Sequence, residues 1–443
     1  MGGLLSACGG EETTTTTAGA TTTSAAATTT TAAPTTTSAG VEGGRDVKVG
    51  LVSPVTGFLA SFSPPVKWSI ERWSEALEDG VVAGDGKNHK VVFELRDTQS
   101  DSNRAAQVTG DLINNDKVDV VISSGSPDTV NPSADQCEAL GVPSVSTFVP
   151  WQAFFFGRGG APDKPFKWTY AFTGGLEAIV GTYIDMWDKL STNKKLGGVW
   201  PNNSDGISWT DPNTGAPPIF AAAGYELVLP GLYPPGSEDF TAQITEFKKQ
   251  GCEICVGAMP TPDFVNFWSQ ASQQGYKPKA MTVGLALLFP EAARAVGDLV
   301  IGCTSELVWH PSYPYTSSLS GETCQQLADD YEERTGNQWS PAVGQYMAME
   351  WIVDALKRTA DLDDREALLQ AIATTKMDTM WGPMDFTAPV QMGTNHPVLN
   401  VMTNPSTGGQ WRTGTGKWPY DVIPVSNKFA LDVPLNAEIQ PLG

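Results

Sequence analysis

VKVGLVSPVTGFLASF, residues 47–62, opens the ordered part of the chain and sets the reading of the rest. Val47–Val52 is a short, nearly unbroken apolar run that closes in a turn, Ser53-Pro54-Val55-Thr56-Gly57. Val66, Ile70, Trp73 and Leu77 then recur at helical spacing. A buried strand, a loop and an amphipathic helix make one βα unit. The unit repeats outward from here. Val91–Leu95 reads as a strand and Asn103–Asn114 as a helix with Ala105, Val108 and Leu112 on one face. Val118–Ile122 is a strand, Pro132–Leu140 a helix and Pro143–Thr147 a strand.

After a Gly/Pro/aromatic interlude at 150–175 the alternation resumes. Val180, Tyr183, Ile184 and Trp187 mark a helix. Leu196–Trp200, Tyr225–Leu229, Cys252–Gly257 and Ala280–Val283 read as strands with amphipathic helices between them. Alternating strands and helices predict parallel sheets covered on both faces, and two runs predict two doubly wound, Rossmann-like lobes. Ligands of open α/β sheets bind beyond the carboxyl ends of the strands, so a site is expected between the lobes.

With 443 residues the chain is long enough for two such bodies, and its mean hydropathy of −0.18 is ordinary for a water-exposed fold. Its 49 acidic against 28 basic side chains, a formal charge of −21, repel phosphate backbones, so no nucleic-acid partner is expected. Of six cysteines, Cys8 lies in an N-terminal signal, leaving an odd number in the body. Cys303 and Cys324 flank a Pro/Ser/Tyr-rich loop and are the expected disulfide of an oxidising compartment. Cys252-x-x-Cys255 lies in GCEICVGAM, which reads as a buried strand and predicts inert thiols.

Leu4-Leu5-Ser6-Ala7-Cys8-Gly9 is similar to a bacterial lipobox, with small residues before the cysteine that takes the lipid. Residues 1–8 are read as a signal remnant, because the basic and apolar stretches of a full signal do not precede them. Residues 9–45, dominated by Thr, Ala and Gly, have nothing to bury and are expected to form a disordered tether. A flexible coil of that length spans on average about 30–35 Å.

Four segments in order, VKVGLVSPVTGFLASF (47–62), VVFELRDTQSDSNRAAQVTGDLINNDKVDVVISSGSPDTVNPSADQCEALGVPSVS (91–146), DFTAQITEFKKQGCEICVGAMPTPDFVNFWSQASQQGYKPKAM (239–281) and MWGPMDFTAPVQMGTNHPVLNVMTNPSTGGQW (380–411), carry a resemblance. The chain resembles the type I periplasmic-binding family, in the style of the branched-chain (Leu/Ile/Val) amino-acid-binding lipoproteins of ABC importers, from 46 to about 412. The resemblance implies two lobes joined by a three-crossing hinge, with crossings near Phe172, Leu307 and Trp381. The first lobe would hold 46–172 and 308–381, and the second 173–307 and 382–443. It further implies a monomeric, extracytoplasmic binder held at the cell membrane by its lipid, on the cell surface or in the periplasm. Such a binder closes on a small molecule by hinge motion and delivers it to permease and ATPase subunits. A ligand-sensing lipoprotein that signals to a membrane partner is the alternative.

Carried onto this chain, the family's ligand loops select Phe58 within Gly57–Phe62, then Ser126, Asp128 and Thr129, then Thr147, Phe148 and Trp151. From the second lobe they select Asn203 and Asp205, Met259, and Leu285. Asp128 either caps its own helix or meets a cationic or hydroxyl-bearing ligand. In amino-acid-binding relatives an acid after the Ala280–Val283 strand pairs with the ligand ammonium, and Gly284-Leu285-Ala286 offers none there. Unless Asp205 or Asp128 substitutes, a standard α-amino acid fits poorly. Phe58, Phe62, Phe148, Trp151, Phe154, Phe155 and Trp200 around the expected cleft favour an amphipathic, aromatic or polyol-like ligand.

Catalysis is not expected. His89, His310 and His396 are scattered without metal-helix spacing, and no nucleophile elbow, Walker loop or paired-cysteine zinc motif occurs. Neither cofactor nor metal is predicted.

Overall fold

The computed structural model describes residues 40–392, 396–435 and 437–442. Cys8 and most of the expected tether lie outside them. Residues 42–45 already belong to the folded body. The Gly44 N–H donates to Asn88 O (2.8 Å), and Arg45 pairs with Asp119 (2.9 Å) and Asp363 (2.7 Å).

Two sheets organise the chain. The first contains β1 (Val47–Ser53), β2 (Val91–Asp97), β3 (Val120–Ser124), β4 (Ser144–Thr147) and β5 (Thr169–Thr173). The second contains β6 (Lys195–Val199), β7 (Glu226–Val228), β8 (Ile254–Met259), β9 (Ala280–Leu285) and β10 (Thr304–Leu307). Late in the chain β11 (Val401–Thr403) joins the first sheet, and β12 (Ser406–Thr413) and β13 (Tyr420–Phe429) join the second. The spatial orders are β11-β5-β4-β3-β1-β2 and β13-β12-β10-β9-β8-β6-β7. Pairing is parallel throughout the first sheet and through β7–β10; β12 and β13 add an antiparallel edge. The chain is therefore α/β with two doubly wound sheets. β1 is apolar on both faces because helices cover both sides, as buried parallel strands require.

Two expectations change. The chain from 382 onward was expected in the second lobe, yet β11 pairs in parallel with β5 (Val401↔Ala171), and Met384 and Phe386 pack in the core beneath β1. The third crossing is therefore Asn404-Pro405. Asn404 ties the crossings together: its N–H donates to Thr173 O (3.3 Å) and its Nδ2 to Val308 O (3.0 Å). The helix expected from Pro132 starts at Pro127 instead. Pro132 has no N–H for the Asp128 carbonyl four residues back, and Ser102 Oγ donates to that carbonyl instead (2.6 Å).

The expected Cys303–Cys324 disulfide is also corrected. Both thiols are free and buried, Cys303 in the core of the second sheet and Cys324 in that of the first. Each points at a carbonyl of its own surroundings, Leu299 O for Cys303 (3.4 Å) and Met380 O for Cys324 (3.3 Å). Cys252 and Cys255 are likewise free and buried, and burial pushes the Cys252 thiol up to about 11.

Candidate functional site

The carboxyl ends of both sheets face a shared cavity of about 50 Å³. Phe62, Ser126, Pro127, Phe148, Pro150 and Thr173 line it from the first half. Ile179, Asp205, Trp209, Ala258, Leu285, Leu288 and Glu306 line it from the second, and Val308 lies at a crossing. Two of these residues hold a left-handed backbone, Phe148 (φ 60°) just past β4 and Leu285 (φ 64°) at the end of β9. Non-glycine residues in that region cost of order 1–3 kcal/mol and gather at ligand clamps.

The halves meet at three places around the cavity. At the rim, Asp128 accepts from Asn203 Nδ2 (2.8 Å) and from the Ser204 N–H (2.9 Å). Asn203 meanwhile caps the short helix Ser204–Trp209 by accepting from the Gly206 N–H (3.0 Å). Asp128 therefore neither caps its own helix nor stands free; it latches the two halves. Burial raises its pKa above the usual carboxylate range, and the bonds from Ser204 oppose that rise. Beside the first crossing, Trp151 Nε1 (2.9 Å) and Gln152 Nε2 (2.5 Å) donate to Glu177, while the Leu176 N–H donates to Gln152 Oε1 (2.9 Å). The third contact is apolar: Phe62 packs edge-on against Phe289 of the second half (4.9 Å) and is backed by Phe148 of its own half (5.6 Å).

Asp205 follows Asn203 into the cavity and is only 5 % exposed. Burial first, then the charges of Asp128 and Glu306, push its pKa up to about 8. Glu306 is the residue the sequence reading missed. It rises from the middle of β10 and lines the cavity at Gly284, where a Cβ would stand 3.1 Å from both carboxylate oxygens and from the Tyr183 hydroxyl. The loop after β9 indeed carries no acid, but its glycine leaves room for one from the next strand. Tyr183 OH and Ser305 Oγ (3.0 Å) both donate to Glu306 Oε2. Burial raises its pKa too. The available signal was a carboxylate within Thr304-Ser305-Glu306-Leu307, a strand buried along its whole length.

The other expected residues fall in several places. Ser126 lines the cavity, and Thr129 is buried behind it, its N–H donating to Ser126 O (3.0 Å). Thr147 is buried, and its Oγ1 finds no partner among the described residues. Phe58, 38 % exposed, borders a side recess shared with Leu285 and Phe289. Trp151 belongs to the contact at the first crossing, not to the cavity. Met259 is buried in the second core while its neighbour Ala258 lines the cavity, because successive strand residues face opposite ways. Phe154, Phe155 and Trp200 are core residues. Trp209 was not expected at all. It lies near-parallel to Tyr183 (6.4 Å, 8°) and stacks on Trp200 (6.3 Å, 28°), a column that backs the acidic wall. Among the described residues no group of three or more His, Cys, Asp or Glu is arranged to hold a metal, and no helix is long and apolar enough to cross a membrane.

A sequence model of the periplasmic binding protein family matches residues 46–408. Among curated proteins, Leu/Ile/Val-binding protein homolog 7 of Brucella abortus is 22% identical over 386 residues, which is 83% of this chain and 90% of that one. The leucine-binding protein LivK of Thermotoga maritima superposes with a TM-score of 0.67 at 19% identity, covering 86% of this chain and 99% of that one. An ABC transporter solute-binding protein of Rhodopseudomonas palustris, solved with 3,4-dihydroxybenzoic acid, superposes with a TM-score of 0.64 at 18% identity, covering 86% and 99%. The two sheets, their three crossings and this match leave one conclusion: the chain belongs to the periplasmic binding protein family, with the type I fold of the branched-chain amino-acid-binding proteins.

Proposed function

We propose that this chain is the extracytoplasmic solute-binding component of an ABC importer of the branched-chain amino-acid type. It closes two lobes around a small organic ligand and hands it to permease and ATPase subunits. The observation that carries this reading is the cavity at the carboxyl ends of both sheets, lined from both halves and latched at its rim by Asp128, Asn203 and Ser204. Such a latch forms only when the halves approach, and hinge closure around a ligand is the motion the fold provides. The relatives' cargo ranges from Leu/Ile/Val in their names to dihydroxybenzoic acid, so kinship leaves the ligand open. Within the proposal, Cys8 carries the lipid, the Thr-rich segment after it is the tether, and the chain works as a monomer.

The test joins binding to delivery. Purified full-length protein is screened by thermal shift against amines, amino acids, amides, polyols and aromatic acids. A ligand at 100 times its Kd adds about 2.7 kcal/mol of stability. Pull-down from membranes should then recover a permease, and deletion should abolish uptake of the ligand. A ligand whose uptake survives deletion, with a different membrane protein captured, would instead favour the sensor. No stabilisation by any class would defeat the binding reading itself.

A further inference from the structure

The charges around the cavity restrict what it holds. Among the described residues, the charged side chains that line it are Asp205 and Glu306; no Lys, Arg or His does so. Asp128 stands close enough to act on Asp205 from the rim. An anionic ligand would meet three carboxylates and no counter-charge, and leaving charge unpaired in a buried site is costly.

The backbone offers an anion little more. A helix N-terminus aimed at the cleft is a natural carboxylate site. Ser126 and Pro127 do bring the start of the Pro127–Leu140 helix to the cavity wall. Its first residue, however, is a proline without an N–H, and its second is Asp128, which puts an acidic side chain in the first turn. The Thr129 and Val130 N–H groups are already donated to Ser126 O (3.0 and 2.9 Å).

The opposite wall is prepared for a cation. No backbone N–H or hydroxyl among the described residues donates to the Asp205 carboxylate, although it is 5 % exposed; only the Trp209 indole comes near. Glu306 receives both of its hydroxyl bonds on Oε2. Phe62, Phe148, Ile179, Trp209, Leu288 and Val308 make most of the remaining lining apolar, with the hydroxyl-bearing Ser126 and Thr173 as its neutral polar members.

Resting on the solute-binding reading above, we propose that the ligand is a compact primary amine with an apolar body and no carboxylate, its ammonium seated between Asp205 and Glu306. An amino acid keeps the ammonium contact but brings an anion to a wall that, among the described residues, offers it no cationic side chain. The raised pKa values of the two acids fit this assignment, since they are what buried carboxylates show before a cation joins them.

The test uses full-length protein and matched probes that share a body and differ in the end group. One set is 2-phenylethylamine, phenylalanine and 3-phenylpropionate; the other is 3-methylbutylamine, leucine and 4-methylpentanoate. Calorimetry is expected to give at least tenfold tighter binding of an amine than of its amino acid, with no binding of the acid. Asp205→Asn and Glu306→Gln should each weaken amine binding at least tenfold, with near-ultraviolet circular dichroism verifying the fold. If one variant fails to fold, the other carries the test. Amino acid or acid binding as tight as the amine's overturns the assignment, and so does amine binding unchanged in the folded variants. Amines that fail to bind while a neutral compound stabilises the protein overturn it and leave the importer reading standing. If nothing in the wider screen binds, both fall.

Discussion

On the first-sheet side of the cavity Phe62, Phe148 and Pro127 present no charge, and the nearby acid, Asp128, is committed to Asn203 and Ser204. On the second-sheet side Asp205 and Glu306 face inward, backed by the Trp200–Trp209–Tyr183 column. Both sides bury carboxylates; what separates them is the donors. A carboxylate met by an N–H and an amide joins two bodies together. One met only by an indole, in a buried wall, is left to take a proton or a cation. On the proposals above, closing the lobes and choosing the ligand fall to acids on opposite sides of the same cleft.

The largest way to break this contrast is to remove the column behind the acidic wall. Trp209→Ala leaves a hole between Tyr183 and Trp200, and large-to-small changes of this kind cost about 3–5 kcal/mol. Denaturant unfolding should show that loss, with ligand binding abolished even where the protein remains folded. A loss below about 1 kcal/mol with intact binding would mean the wall does not depend on its aromatic backing.

A second test titrates the wall itself. The titratable groups that face Asp205 are Asp128, Glu306, Tyr183 and Tyr233. With its pKa at about 8 in the folded chain and about 3.9 when unfolded, Asp205 holds a proton on folding that the unfolded chain gives up. Its contribution is whole below about pH 4 and is lost as pH rises through 8, with a slope of at most about 1.4 kcal/mol per pH unit. Urea midpoints of the ligand-free protein between pH 5 and 8 should fall with pH, and Asp205→Asn should flatten the curve. Equal slopes in the two proteins would mean that Asp205 is already ionised across this range and that burial does not hold its proton.

How much of this contrast the sequence carried depends on which signal placed each residue. The βα alternation was legible because fully buried parallel strands are short apolar runs, as in Val47–Ser53 and Ile254–Met259. Strand ends carried Ser126, Phe148, Asp205 and Leu285 to the cavity, since loops at carboxyl ends must face it. Four failures have separate physical causes. Met259 was off by one residue, enough to turn a side chain into the core. Pro132 passed for a helix start because the hydroxyl that replaces its missing bond, that of Ser102, lies on a different helix. Glu306 reaches the cavity from within a strand, through space left by Gly284, and no loop-based reading can see a neighbouring strand fill a glycine's gap. Cys303 and Cys324 were paired by nearness in sequence alone, which says nothing about which of two cores each thiol enters.

The smallest effect, and the one that sharpens the comparison most, belongs to Asp128. Asp128→Asn keeps the size and one acceptor of the latch but removes its charge. Hydrogen bonds to charged groups contribute about 1.5–3 kcal/mol against about 0.5–1.5 for neutral ones, so closure should weaken by about 1.4 kcal/mol, or tenfold in affinity. Relief from burying a charge works against that loss and makes tenfold an upper figure. If Asp128 acts only by joining the halves, every ligand loses affinity by the same factor and the order of preference among ligands stays fixed. Asp205→Asn, on the other wall, should reorder that preference by penalising amines alone. Affinities of one cationic and one neutral ligand, measured for both variants, separate the roles. An Asp128→Asn variant that penalises only the cationic ligand would make Asp128 a ligand contact, and the division of labour between the two walls would fail.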